Sequence, residues 1–365
     1  MSLGVDVAGL RRAADGYVRY GSEFGEVAAN SIPKCSLPWS AIPAVDFGFG
    51  DAYKAAYEAL DLSARTLSGT LGTIGLALTR VANHYEDNEA ANTRMFQGRP
   101  ITAPPAPQAR PMDTGLSDGD YDRVYLGGFA SAGLIILAGQ RMFAAAGPFG
   151  LPMLGLGLPL LTSAVLNLRD PIPYFDAQAG WGEVGEVLND AASRAPQLCY
   201  DVVYRGNWQG TGKDAFYACV NNDIQPSLGA MKDLNNTMQL ACITGGVALG
   251  TSLAAFIAAT LTATGFCAAA TAAAAASAGT ATPAAQAAVT ITISQWAIFT
   301  LELLAEVAAV FGGMALTSAQ IGQSYDSLKA FLGGKNNQLE AGSLQLRPAE
   351  VTAISDWELG WKEPS

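Results

Sequence analysis

From Leu234 to Leu301 the chain runs 68 residues without a single Asp, Glu, Lys or Arg. Roughly 20 apolar residues suffice for one helix to cross a bilayer. The run therefore holds either two spanning helices or two long helices buried in a large core. Pro283, set among small polar residues, divides it. The economical reading is two helices of about 30 residues each. Gly246 and Gly250 have the four-residue spacing that lets helices approach closely. Glu302 and Glu306 then share one helix face just past the run. In a bilayer they would have to line a wet interior; otherwise they mark the helix emerging into water.

The rest of the composition narrows the field. The chain has 365 residues, 50% of them apolar and 15% charged, with mean hydropathy +0.21. Soluble domains carry about 25% charged residues, so this chain is charge-poor. A net charge of -11 argues against nucleic acid, which needs a basic footprint. It argues equally against electrostatic docking on anionic lipid. A second apolar stretch, 124–168, contains Arg141 as its only charge. Pro148, Pro152 and Pro159 interrupt it, so it reads equally as a membrane segment or as a buried loop-and-helix core.

Elsewhere the apolar residues fall at heptad spacing, which predicts helices with one apolar seam. Val7, Leu10, Ala14, Tyr17, Gly21, Phe24 and Ala28 form the first seam. Tyr53, Tyr57, Leu60, Ala64, Leu67, Leu71, Ile74, Leu78, Val81 and Tyr85 form the second. The connection carries Pro33, Pro38 and Pro43. Two such helices pack as an antiparallel hairpin. The second is longer, so its end, with Tyr85, is expected to project. Trp181, Val184, Leu188, Ala191, Ala195, Leu198 and Val202 make a third seam, and Phe216, Val220, Ile224, Leu228, Met231, Asn235 and Met238 a fourth. Pro226 inside the fourth predicts a kink or a break.

The residues offer little for catalysis. His84 is the only histidine, lies on a helix, and has no Gly-x-Ser-x-Gly serine to serve. "GNWQGTGKD" has Asn207 and Asp214 where a phosphate loop needs Gly and Ser or Thr, and "GLGLPL" lacks the third glycine of a dinucleotide loop. The pairs Asp87 with Glu89 and Glu183 with Glu186 read as solvated helix faces. Cys35, Cys199, Cys219, Cys242 and Cys267 stand singly, without zinc-ligand spacing. They read as buried apolar residues, with Cys199 and Cys219 the one pair able to bond across a hairpin. No enzyme activity, cofactor or metal is expected. The N-terminus has no basic-then-apolar leader, which predicts a cytoplasmic protein or one exported by a machine other than the general route.

Trp208-Gln209-Gly210 sits in the turn between the third and fourth seams. This resembles the Trp-x-Gly turn of WXG-type substrates of type VII (ESX) secretion systems, helical hairpins that pair into four-helix bundles. The first hairpin has Phe47-Gly48-Phe49-Gly50 at the matching place. Its layout, "VDVAGLRRAAD", "GFGDAYKAAYEAL" and "ALTRVANHYEDNEAA", looks like the EspC-type family. Tyr85 and Glu89 match the Tyr-x-x-x-Asp/Glu export signal of these systems. The second hairpin, followed by long small-residue helices, looks like the EspA and EspE type. The resemblance covers residues 1–96 well and 177–270 moderately. Joining both hairpin types in one chain leaves two arrangements open: a separate hairpin partner, or one hairpin packed on the other.

The expected architecture is all-α: two antiparallel helical hairpins plus long apolar Ala/Gly-rich helices. Its parts are a hairpin with export tag (1–96), a Pro-rich linker (97–123), an apolar Gly/Pro-rich segment (124–168), a WXG-type hairpin (169–240), long apolar helices (241–332) and a flexible tail (333–365). The resemblance implies a non-enzymatic secreted substrate, recognised by the type VII secretion ATPase. After export it self-associates or enters a membrane. Two alternatives remain, a resident integral membrane protein and the delivery module of a toxin.

Overall fold

The four seams are the inner faces of one helical bundle. The computed structural model describes residues 6–90, 121–206, 208 and 211–333, and within them the protein is all-α, with no strand. Helix α1 (Val7–Glu26) starts at Asp6, whose carboxylate accepts from the Gly9 amide at 2.8 Å. That bond satisfies one of the free amides of the first turn. Leu10, Ala14, Tyr17, Gly21 and Phe24 are buried along α1, and every seam residue from Tyr53 to Val81 is buried along α2 (Phe49–Ala90).

The two helices run antiparallel. Arg11 meets Glu86 at one end, and Arg65 reaches the Ala28 carbonyl at the other. Gly21 is not a flaw in its seam. A Cβ there would lie 2.8 Å from the Ser68 carbonyl oxygen, and the Ser68 hydroxyl donates to the Gly21 carbonyl at 2.6 Å. The connection is a π-helical turn at Val27–Ser31, 3-10 turns at Ile32–Cys35 and Trp39–Ala41, and left-handed backbone at Phe47 and Gly48.

The second hairpin consists of α5 (Ile172–Tyr200), α6 (Thr211–Ala218) and α7 (Gln225–Ala276). To complete the numbering, α3 is Tyr121–Ala146, α4 is Leu154–Asn167 and α8 is Thr282–Gly333. Helices α5 and α7 are antiparallel, with Gly185 against Asn235 and Gly245 against Tyr174. At Pro226, where a kink or a break is expected, the helix carries a π-helical segment, Cys219–Ile224, between α6 and α7; the Gln225 amide donates to the Val220 carbonyl, and Pro226 follows in the first turn of α7.

The hairpins pack on each other within the chain. The Tyr17 hydroxyl donates to the Ala195 carbonyl at 2.9 Å, and Lys34 pairs with Glu183 at 2.7 Å. Between them the Trp181 indole donates to the Tyr53 hydroxyl at 2.8 Å, which donates to the Cys35 carbonyl at 2.6 Å. Buried donors and acceptors are thus matched across the interface.

The apolar region departs from the sequence expectation in its boundaries. Helix α3 begins at Tyr121, inside the expected linker. Glycine and proline end it, and the chain continues as a 3-10 stretch, Gly147–Met153, and then α4. Helix α7 runs straight through the expected boundary at 240/241. It spans 52 residues, about 78 Å at 1.5 Å per residue, and α8 is another 52. Nothing between Ser227 and Ala276 breaks a helix by removing an N–H. Gly246 and Gly250 lie where α7 meets Tyr174, Phe175 and Pro171. Helices α3 and α4 pair antiparallel and cover one side of the α7–α8 hairpin, with Phe143 edge-on to Trp296 at 6.4 Å.

Three helical stretches, 131–205, 212–276 and 282–314, are long and apolar enough to cross a membrane, which is compatible with membrane association. Only 28%, 39% and 33% of their most apolar windows are buried, so most of that surface faces outward. Glu302 and Glu306 are exposed. None of the five cysteines is in a disulfide, so Cys199 and Cys219 are not bonded to each other here. Residues 97–120 of the expected linker and the tail from 334 lie outside the described residues.

Candidate functional site

Three chain segments converge at one end of the bundle: the start of α1, the end of α2 and the turn between α5 and α6. The sequence brings them together through the seams. Antiparallel α1 and α2 set residues 7–11 beside 83–86, and α5, packed against α1, delivers its own turn there. The Asp6 amide donates to the Gly206 carbonyl at 2.8 Å, tying α1 to that turn.

Trp208 is the anchor of this end. It is only 3% exposed and stacks at a tilt on Phe216, ring centres 5.8 Å apart. Phe216 in turn meets Tyr17 edge-on at 5.8 Å. The Trp208 indole, a donor only, lies near enough to the Tyr85 hydroxyl to bear on its ionisation. Burial raises the Tyr85 pKa above its usual value, and the nearby Trp208 indole N–H pulls the other way. Tyr85 and Trp208, 123 positions apart in the chain, are therefore neighbours.

This corrects one expectation. The end of α2 does not hold Tyr85 clear of the first helix. Tyr85 is half-buried against the common core, level with the first turns of α1. The reason is that the turn of the second hairpin fills the space beside it. Glu89 lies on α2 one turn further on, and its side chain is outside the described residues, as is that of His84. Gly210 also lies outside them.

The sequence reading missed the polar clamp beside this aromatic core. Arg11 donates through Nε to Glu86 at 3.2 Å, through Nη2 to the same carboxylate, and to Asn83 Oδ1 at 2.9 Å. The hydrogen bond from Arg11 holds the Glu86 carboxylate below its usual pKa. Both side chains are solvent-facing, 43% and 50% exposed. They join α1 to the last described turns of α2. Helical spacing alone could not pair them, because the match depends on the register between two helices.

Around the corner, Tyr200, Tyr204 and Tyr217 form an exposed aromatic cluster. Tyr200 and Tyr204 lie 4.9 Å apart, and Tyr204 meets Tyr217 edge-on at 5.8 Å. They line an open groove of about 640 Å³ together with Asp201 and Arg205. Tyr200 and Tyr204 stand four apart in the chain, and Tyr217 joins them only across the hairpin. Among the described residues no three His, Cys, Asp or Glu side chains gather as a metal site.

This end brings a buried aromatic pair and an exposed charged clamp together from three chain segments. No family model, no curated protein and no solved structure matches the chain.

Proposed function

We propose that the protein is a non-enzymatic substrate of a type VII secretion system that carries both halves of its docking signal in one chain. The observation behind this reading is that Tyr85 and Trp208 lie side by side at one end of the bundle, packed against the same core. The tyrosine of the Tyr-x-x-x-Glu segment and the tryptophan of the Trp-x-Gly turn come from different hairpins, yet they meet at one end of one bundle. A secretion ATPase gripping that end reads a folded bundle, not a linear tag. The packing of one hairpin on the other supports export without a separate hairpin partner. Glu89 and Gly210 complete the two motifs in sequence.

The test is secretion from cells with a working type VII system. Tyr85→Ala and Trp208→Ala, each confirmed as folded by circular dichroism, are expected to remain in the cell. Undiminished export of both removes this bundle end from the mechanism.

One observation favours a second reading. The outward-facing apolar stretches suit a resident integral membrane protein. Fractionation separates the two: recovery in the inner membrane alone, in cells whose secretion system works, selects the resident form.

A further inference from the structure

The α7–α8 hairpin turns back through a loop that hides its own polar groups. The amides of Ser277, Ala278, Gly279, Thr280 and Thr282 all donate to carbonyls inside the turn or the end of α7, at 3.1 to 3.3 Å. The Ala281 amide donates to the Ser277 hydroxyl at 3.0 Å, and that hydroxyl donates to the Ala274 carbonyl at 2.9 Å. Ala278 takes a left-handed φ of 50° within this arrangement. Such closure is common where helices end in water, where solvent can also satisfy the amides. Inside hydrocarbon every backbone group must be paired internally.

The helices flanking the loop follow the same rule. The hydroxyls of Thr260, Thr262, Thr264 and Thr271 donate to carbonyls four residues back, at 2.7 to 2.9 Å. The Trp296 indole donates to Thr260 at 2.9 Å. The dimensions also agree. Residues 256–276 and 282–301 are about 30 Å long each at 1.5 Å per residue, close to the hydrocarbon thickness of a bilayer, about 30 Å. No charge occurs in either arm, and exposed Glu302 and Glu306 stand immediately beyond.

We propose that the hairpin from Phe256 to Leu301 inserts tip-first into an electrically neutral lipid bilayer. Its outward face carries no cation to attract anionic headgroups, and the whole chain is at -11. Helices α3 and α4 cover it in the free protein and separate from it on insertion. Exposed Arg141 keeps α3 at the water boundary, and α4, with 14 residues, is too short to cross. This inference is independent of the export reading, because it concerns the purified protein.

The experiment mixes full-length protein, made in a cytoplasm lacking any secretion machine, with phosphatidylcholine vesicles and floats them in a density gradient. The protein is expected to float at low and high salt, and proteinase K is expected to leave a protected fragment spanning 256–301. Phe266 and Ile298 are 64% and 58% exposed, so Phe266→Asp with Ile298→Asp leaves the packing untouched. That pair should cut the floated fraction by about tenfold or more. Val18→Asp on α1, 45% exposed in the parent, should not change it. A disulfide between Ala145→Cys and Thr271→Cys, where Thr271 already bonds the Ala145 carbonyl at 2.9 Å, should block flotation until dithiothreitol releases the cover. Wild-type protein left at the bottom of the gradient, as monomer or oligomer, overturns the proposal. So does full flotation of the double Asp variant.

Discussion

The hairpin bundle and the α7–α8 arm are built on the same inner logic and differ on their outer faces. Both bury a seam of aromatic and aliphatic side chains, and both use small residues where helices touch. The bundle wears ion pairs: Lys34 with Glu183, Arg11 with Glu86, Arg19 with Glu23, Arg194 with Asp190. The arm from Phe256 to Leu301 has no charged residue to pair. Its hydroxyls turn inward to their own helix. The inner face settles whether a helix packs, and the outer face settles which solvent the packed product prefers.

The largest effect expected is in the bundle core. Trp181 is fully buried, touches Tyr53 and Tyr57 edge-on and donates to Tyr53. Trp181→Ala should cost about 3–5 kcal/mol in denaturant unfolding followed by circular dichroism. The matched change in the arm, Phe266→Ala, removes an exposed ring and should stay within about 0.5 kcal/mol in water. Equal losses at the two sites would erase the contrast between them.

Next comes the close approach of α1 to α2. A Cβ on Gly75 would fall 2.7 Å from the Ala14 carbonyl oxygen and 2.5 Å from Val18. The backbone cannot yield as a flexible side chain can, so Gly75→Ala should cost about 1–3 kcal/mol. A smaller loss, about 0.5–1.5 kcal/mol, is expected for Tyr85→Phe, which keeps the half-buried ring and removes the hydroxyl beside Trp208. Indole fluorescence should report the change beside Trp208.

The smallest effect concerns the exposed clamp. The Glu86 pKa is depressed in the folded protein by Arg11. Its contribution is therefore full above the ordinary carboxylate pKa and is lost as pH falls through the depressed value. The stability difference between wild type and Glu86→Gln should be slight at neutral pH and vanish on acidification. Constancy of that difference down to pH values below the carboxylate range would show that the clamp carries no charge-linked stability.

Much of this was legible in the residues. The heptad steps picked out Leu10, Tyr17, Tyr53, Leu60, Trp181 and Phe216, all of them buried. Alternating steps of three and four reflect the helical repeat itself, so they survive without knowledge of the tertiary fold. The length of α7 was not legible. Its heptad pattern fades into alanine and glycine near residue 241, yet the backbone continues, because fading periodicity changes what a helix touches and does not stop it. The π-helical step before Pro226 and the Arg11–Glu86 match depend on neighbours distant in the chain. The pairing of Tyr85 with Trp208 belongs to the same class. Each motif was visible alone, and only the antiparallel stacking of two hairpins makes them one feature.

Helix α7 crosses from the polar-edged bundle into the uncharged arm without interruption. A single rod anchored in two bodies leaves no swivel between them. At its opposite end Cys219–Ile224 joins it to α6 and the turn of Trp208, so both regions share one helical axis. A truncation at residue 240 would therefore cut a beam rather than a joint.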